Sequence, residues 1–292
     1  VKNKTYFCRV LSILKLISRL PLRVLYVFSD FLFVLLFYVL RYRRRVVQQN
    51  LARAFPAMPP QELCAIEKQF FKNLCDYGVE ALKLLTMSKE QLQQRMHYKN
   101  PELLRPLAER NQSMLLLASH QFNWEWLLAA GCCSLPVPVD FVYQPQVGAR
   151  ANALSLYGRT RFGGHPVLRN DVAREVLKRR HITRGIAIVA DQYPGHHNDK
   201  KYWATFLKQR TAFFQGINQL AQLTQYPAFY ASVEKVTRGY YTIELVPLSQ
   251  PPYQADTFHL IDNYIVETEK CIHRQPENWL WSHKRWKERN GE

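Results

Sequence analysis

A histidine and a glutamate five residues apart, just past a short apolar run, are the side chains in this sequence best suited to moving a proton. Residues 113–118 (Ser-Met-Leu-Leu-Leu-Ala) form a run of the kind a buried strand makes. Ser119-His120-Gln121-Phe122-Asn123-Trp124-Glu125 follows directly. Within one continuous helix, five residues turn about 140°, so the side chains of His120 and Glu125 would diverge. They converge only if His120 sits in a loop and Glu125 in the first turn of the next helix. A carboxylate on one ring nitrogen would then fix the tautomer and stabilise the cation. The other nitrogen could take a proton from a hydroxyl, typically worth roughly 10²–10⁴ in rate. On residue types alone a second reading stands beside this one: a histidine satisfied by a loop carbonyl and a glutamate on a solvated helix face.

Other familiar chemistry is missing. The chain has no G-x-S-x-G elbow, no G-x-x-x-x-G-K-[ST] loop, no G-x-G-x-x-G and no H-E-x-x-H. Serine hydrolase, P-loop, dinucleotide-binding and zincin readings lose their main support. Cys132 and Cys133 are adjacent, the other four cysteines are scattered, and no C-x-x-C occurs. They read as reduced core thiols in a cytosol-facing protein. His196-His197 read as an exposed loop, and no metal is expected.

The elements that must position His120 follow from periodicity. Helices are predicted over residues 61–85, 124–132, 149–161, 171–180, 211–224 and 256–273. Strands are predicted over 113–118, 137–143 and 185–190, with a hairpin of 228–235 and 240–247 around Thr237-Arg238-Gly239. Strands alternating with helices predict an α/β fold: a mostly parallel central sheet flanked by helices, with an antiparallel pair late in the chain.

Charge divides the 292 residues unevenly. The net charge is +17, of which +10 lies in residues 1–60, where Asp30 is the only acid. A basic end wrapped around an apolar run points to a membrane surface and away from nucleic acid. That run, residues 24–40, lies between Arg23 and the Arg41–Arg45 cluster. It would span about 25 Å as a helix, against a hydrocarbon core of about 30 Å. Asp30 near its middle costs about 2.5–3.5 kcal/mol on insertion. The expectation is a helix lying in or dipping into one leaflet, with a true span and a buried core helix as alternatives. No small-residue cleavage site follows, which argues against a signal peptide. The expected organisation is a basic, apolar, membrane-associated helical section over residues 1–60 and one catalytic domain over 61–292.

His-x4-Glu after a buried strand resembles the lysophospholipid acyltransferase superfamily. The closer resemblance is to the late acyltransferases of lipid A biosynthesis in Gram-negative bacteria. Four further stretches carry it in consistent order: residues 44–56 (Arg-Arg-Val-Val-Gln-Gln-Asn-Leu-Ala-Arg-Ala-Phe-Pro), Gly158-Arg159-Thr160-Arg161-Phe162-Gly163-Gly164, Asp191-Gln192-Tyr193-Pro194-Gly195, and Trp279-Leu280-Trp281-Ser282-His283-Lys284-Arg285-Trp286-Lys287. The resemblance implies transfer of a fatty acyl group from an acyl carrier protein thioester, or from coenzyme A, to a hydroxyl of a phosphorylated lipid A precursor. It implies the cytoplasmic face of the bacterial inner membrane, no cofactor beyond the acyl donor, and direct attack with no acyl-enzyme. His120 is the expected general base, oriented by Glu125. Arg161 is the expected donor to the thioester oxyanion, with Arg159 second; the alternative is an arginine paired with an acid or a lipid phosphate. Gly163 and Gly164 would let backbone approach substrate closely. Asp191 would position Arg161 or the acceptor, unless it only caps a turn, and Gln192 would line the pocket. Lys284 and Arg285 would face phosphates or an acidic carrier.

Residues 205–211 (Thr-Phe-Leu-Lys-Gln-Arg-Thr) depart from the family's Phe-Gly-type segment: the glycine is missing and Lys208 and Arg210 add charge. Rival readings are a relative acting on a glycerolipid, aminolipid or glycolipid, and a non-catalytic basic membrane-binding protein.

Overall fold

The computed structural model describes residues 2–195 and 199–286. His196-His197 and Lys287 lie outside the described residues. Four helices come first: α1 (Lys2–Ser18), α2 (Leu22–Val34, continued by a π-helical turn over Leu35–Val39), α3 (Arg44–Ala54) and α4 (Pro60–Lys83). They are followed by α5 (Lys89–Arg95), β1 (Met96–Tyr98), α6 (Arg105–Glu109), β2 (Met114–Ala118), α7 (Trp124–Ser134) and β3 (Val139–Tyr143). Next come α8 (Ala149–Thr160), β4 (His165–Leu168), α9 (Val172–Lys178), β5 (Gly185–Val189), β6 (Lys201–Phe206) and β7 (Gln209–Phe214). The chain continues through α10 (Gly216–Thr224), β8 (Ala228–Thr237), β9 (Tyr240–Ser249) and α11 (His259–Arg274).

Seven strands make one sheet in the order β1-β9-β8-β2-β5-β3-β4. The strands β8, β2, β5, β3 and β4 run parallel. β9 is antiparallel to β8, and β1 shares the direction of β9. The fold is therefore α/β with a mostly parallel sheet, and the late antiparallel pair is the β8–β9 hairpin. A sheet covered on both faces needs strands that are apolar on both faces. Leu115 and Leu117 of β2 enter a core with α3, α10 and α11, while Met114, Leu116 and Ala118 enter another with α5 and α7.

Register decides what meets at the sheet's carboxyl edge. β2 and β5 are neighbours, with Ala118 opposite Val189. Two residues beyond each, the chain reaches His120 and Asp191. These two side chains thus leave adjacent strands at the same height, where open α/β sheets hold functional groups.

Three sequence expectations change. Residues 211–224 are not one helix: β7 pairs antiparallel with β6, and α10 starts only at Gly216. Leu207 and Lys208 make the turn with φ of 48° and 61°. Both central residues of a two-residue type I′ hairpin turn need positive φ, which Asn-Gly normally supplies. Leu207 is held there by burial of its side chain and by its N–H, which donates to Glu269 Oε1. Short β1 and β4 went unread in polar surroundings. Among the cysteines, Cys75 and Cys271 are core residues but Cys64 is exposed.

One stripe of α2, apolar but for Ser29, docks on the rest of the chain. Leu22, Leu25, Ser29 and Phe33 are buried, and Ser29 donates to Asp76 of α4 at 2.7 Å. Asp30 pairs at 2.7 Å with Arg238, in the β8–β9 turn, and Arg238 also meets Asp76 at 2.6 Å. The opposite face leaves Val27, Phe28 and Phe31 exposed. By length and composition, Leu22–Val39 is apolar enough to cross a membrane.

Candidate active site

His120 lies in the loop after β2, and its carboxylate partner is Asp191. Nδ1 is 2.6 Å from Asp191 Oδ1. The His120 backbone N–H donates to Asp191 Oδ2 at 2.9 Å, and the Trp279 indole N–H donates to the same oxygen at 2.6 Å. Asp191 is 1% exposed. Burial acts to raise its carboxyl, but the neighbouring His120 charge and the hydrogen bonds from His120 and Trp279 outweigh it and hold the group below the usual range. A carboxylate at Nδ1 puts the ring proton there and leaves Nε2 as the acceptor. Nε2 faces Gln192, whose amide nitrogen is 3.3 Å away.

The sign of the Asp191 shift gives a stability prediction. A carboxyl lowered in the folded state stabilises fully above its unfolded value, about pH 4. That contribution is lost as pH falls from there through the folded-state value. Thermal melts of Asp191→Asn are expected to show a shallower loss of Tm between about pH 5 and pH 3 than the wild-type protein.

Glu125 does not reach His120. Its carboxylate is clamped by Arg159, with Nε at 2.9 Å from Oε2 and Nη2 at 2.6 Å from Oε1. Asn123 caps α7 by accepting from the Trp126 N–H at 3.0 Å, which places Glu125 in the first turn as expected. The next helix α8 brings Arg159 over that turn, and the bidentate fork takes both carboxylate oxygens.

Arg161 is turned away from this group. Its Nη1 donates to Leu84 O at 2.9 Å and to Met87 O, tying down the end of α4. Arg159 and Arg161 are two residues apart at the end of α8, about 200° around the axis, so only one can face Glu125. Gly163 and Gly164 shape the chain's own backbone after α8. Gly163 turns the chain at φ 94°, and a Cβ on Gly164 would lie 2.7 Å from Arg159 O. The close approach is to the helix the glycines follow.

Arg285 also departs from expectation. It is 1% exposed, lies 4.5 Å from the Phe213 ring centroid and donates to Ala212 O at 2.7 Å. Burial pushes it down to about 10. It packs β7 against the C-terminal segment, while Lys284 beside it is exposed.

That C-terminal segment is the part of the site that residue types alone did not reveal. Leu280 N–H donates to His120 O at 3.1 Å, and Phe122 N–H donates to Asn278 O at 2.9 Å. His283 Nε2 accepts from the Tyr193 N–H at 3.1 Å. Asn50 of α3 in turn donates to Trp281 O and His283 O, both at 2.8 Å. With the Arg159–Glu125 clamp, all five motif stretches therefore interlock at the site. The one available signal for Trp279 was an indole N–H, which needs an acceptor when buried.

His120, Glu125, Arg159 and Gln192 line one cavity of about 1440 Å³. From them it extends over one sheet face, past Ala118, Leu116, Ala187 and Phe141, to Gly131, Leu135 and Tyr98. Trp124 and Leu135 both border it, and α7 rises about 16 Å between them. A proton acceptor thus stands beside a long apolar chamber, which suits a reaction on the end of a fatty chain.

A sequence profile of bacterial lipid A biosynthesis acyltransferases matches residues 3–288. The chain belongs to this family. It is an O-acyltransferase of lipid A biosynthesis. Among characterised proteins, it is similar to the lipid A biosynthesis lauroyltransferase of Escherichia coli (strain K12). The two are 24% identical over 286 residues, covering 96% of this chain and 90% of that protein. The match of the family profile runs through α1 and α2 as well as the sheet.

Proposed function

We propose that this acyltransferase moves a fatty acyl chain from a thioester, on acyl carrier protein or coenzyme A, to a hydroxyl of a lipid A precursor. The reading is carried by His120: Nδ1 is held by buried Asp191 and Nε2 borders an apolar chamber. Nε2 takes the acceptor hydroxyl's proton as the oxygen attacks the thioester carbon. The C–O bond forms, the C–S bond breaks, and the imidazolium returns the proton to the leaving thiolate. His120 is the catalytic base, and Asp191 replaces Glu125 as the group that orients it. Arg159 lines the same cavity as His120 and is held there by Glu125. We assign it, in place of Arg161, to the developing oxyanion, where one donor is typically worth about 3–4 kcal/mol. The exposed Lys200 on the lining suits a phosphate of the acceptor.

Residues 1–60 serve in this proposal as the membrane section and 61–292 as the transfer domain, at the cytoplasmic face of the inner membrane. Leu14 of α1 and Tyr42 after α2 border the cavity, so a lipid reaching the exposed face of α2 is already beside the site.

The lipid mass spectrum of a deletion strain tests the acceptor. Loss of one acyl chain from lipid A, restored by the wild-type gene and not by His120→Ala, is the expected result. Unchanged lipid A with an altered glycerolipid or aminolipid would replace the acceptor proposed here.

A further inference from the structure

Glu80 is an acid for which the transfer chemistry has no use, and it is completely buried near the end of α4. Its partners are three neutral donors. The Tyr26 hydroxyl donates to Oε1 at 2.8 Å. The Tyr241 hydroxyl and the Asn123 side-chain amide donate to Oε2 at 2.8 and 2.9 Å. The Glu80 backbone carbonyl also accepts the Trp126 indole N–H at 2.8 Å. Burying a carboxylate without a cation is costly unless such bonds satisfy it, so this arrangement needs a reason.

The donors come from parts of the molecule with different tasks. Tyr26 belongs to α2, whose other face exposes Val27, Phe28 and Phe31. Asn123 belongs to the turn between His120 and Glu125, and caps α7 through Trp126. One carboxylate thus ties the apolar N-terminal helix to the turn that carries both site residues. Asn123 is itself fully buried, so losing Glu80 would leave its amide without a partner and free the turn to shift. A small displacement at that turn moves His120 and Glu125 together, and misplacement of about 1 Å can cost about 10²-fold in rate.

We infer that Tyr26, Glu80 and Asn123 form a positioning chain, through which the docking of α2 sets the alignment of the His120–Glu125 turn for transfer. This rests on the proposed role of His120. In it α2 is a working part of the site as well as its contact with lipid, and Glu80 is a positioning residue that touches no substrate.

A double-mutant cycle on the full chain tests the inference. Tyr26→Phe removes only the hydroxyl on Oε1. Asn123→Ser keeps a cap for Trp126 but cannot reach Glu80. Tyr26→Phe is expected to lower kcat about tenfold, the effect of one lost buried hydrogen bond, with both KM values unchanged. In the Asn123→Ser background the same substitution is expected to change kcat less than twofold, because the chain is already cut. Equal kcat losses in both backgrounds would reduce Tyr26 to a structural contact and overturn the inference. Glu80→Gln, which preserves shape, should lower kcat alone at unchanged KM; a rise in KM at constant kcat would also overturn it. A fully active His120→Ala enzyme would instead strike the site assignment itself, so the two failures are distinguishable.

Discussion

Asp191→Asn is expected to lower kcat by roughly 10²–10⁴, about as far as His120→Ala. The argument comes from the two N–H groups on Asp191 Oδ2. The His120 backbone and the Trp279 indole both donate there, so an asparagine would turn its amide oxygen toward them. Its amide nitrogen would then face His120 Nδ1, where Oδ1 now stands at 2.6 Å. Two donors cannot share that contact, so the ring proton moves to Nε2 and the base is blocked. The substrate would still bind, and KM should change little. The double variant should cost no more than either single one, because the two residues act as a unit. Glu125→Gln provides the contrast. It leaves the His120 tautomer untouched and acts by leaving the Arg159 guanidinium half-paired. A large kcat loss in Glu125→Gln together with full activity in Asp191→Asn would return the orienting role to Glu125.

That contrast shows what kind of information residue spacing lacked. His120, Asp191, Gln192, Arg159 and the aromatic C-terminal stretch were all legible as stretches worth attention. Their pairing was not. His120 and Asp191 meet because β2 and β5 are neighbours and because Ala118 is in register with Val189. Neither fact has a local signature, whereas Glu125 is close to His120 in sequence and so looked like its partner. The choice between Arg159 and Arg161 had the same character. Two arginines two apart on a helix point to opposite sides, and only packing decides which side is the cavity.

The main sheet was readable because its central strands are short, apolar runs between clear helices. The β6–β7 hairpin was hidden by a Leu-Lys turn that lacks the usual residues for positive φ. The apolar run of α2 was legible as well. The use of Asp30 was not, since its partner Arg238 lies 208 residues away in the β8–β9 turn. The same holds for Asn50, whose role depends on carbonyls of Trp281 and His283.

Gly131→Val is expected to shift the donor preference toward shorter acyl chains. Gly131 lies inside α7, where a glycine costs about 1 kcal/mol relative to alanine. Something at this position favours the absence of a side chain. A Cβ there would lie 3.2 Å from the Tyr98 hydroxyl and 3.7 Å from Leu135 Cδ1, and all three residues line the far part of the cavity. A side chain at 131 therefore occupies the space into which the tail of a bound acyl chain would extend. Each methylene denied that space forfeits about 0.8 kcal/mol of burial, close to fourfold in kcat/KM. A competition assay with a mixture of thioesters of graded length reads the effect directly as the distribution of chains on the product. Gly131→Ala should shift it less than Gly131→Val, since the alanine methyl only tightens the contact with Tyr98. Because both substitutions raise helix propensity, a change in the product distribution at undiminished Tm would assign the effect to the chamber. An unchanged distribution in both variants would place the acyl chain elsewhere in the cavity, away from Tyr98 and Leu135.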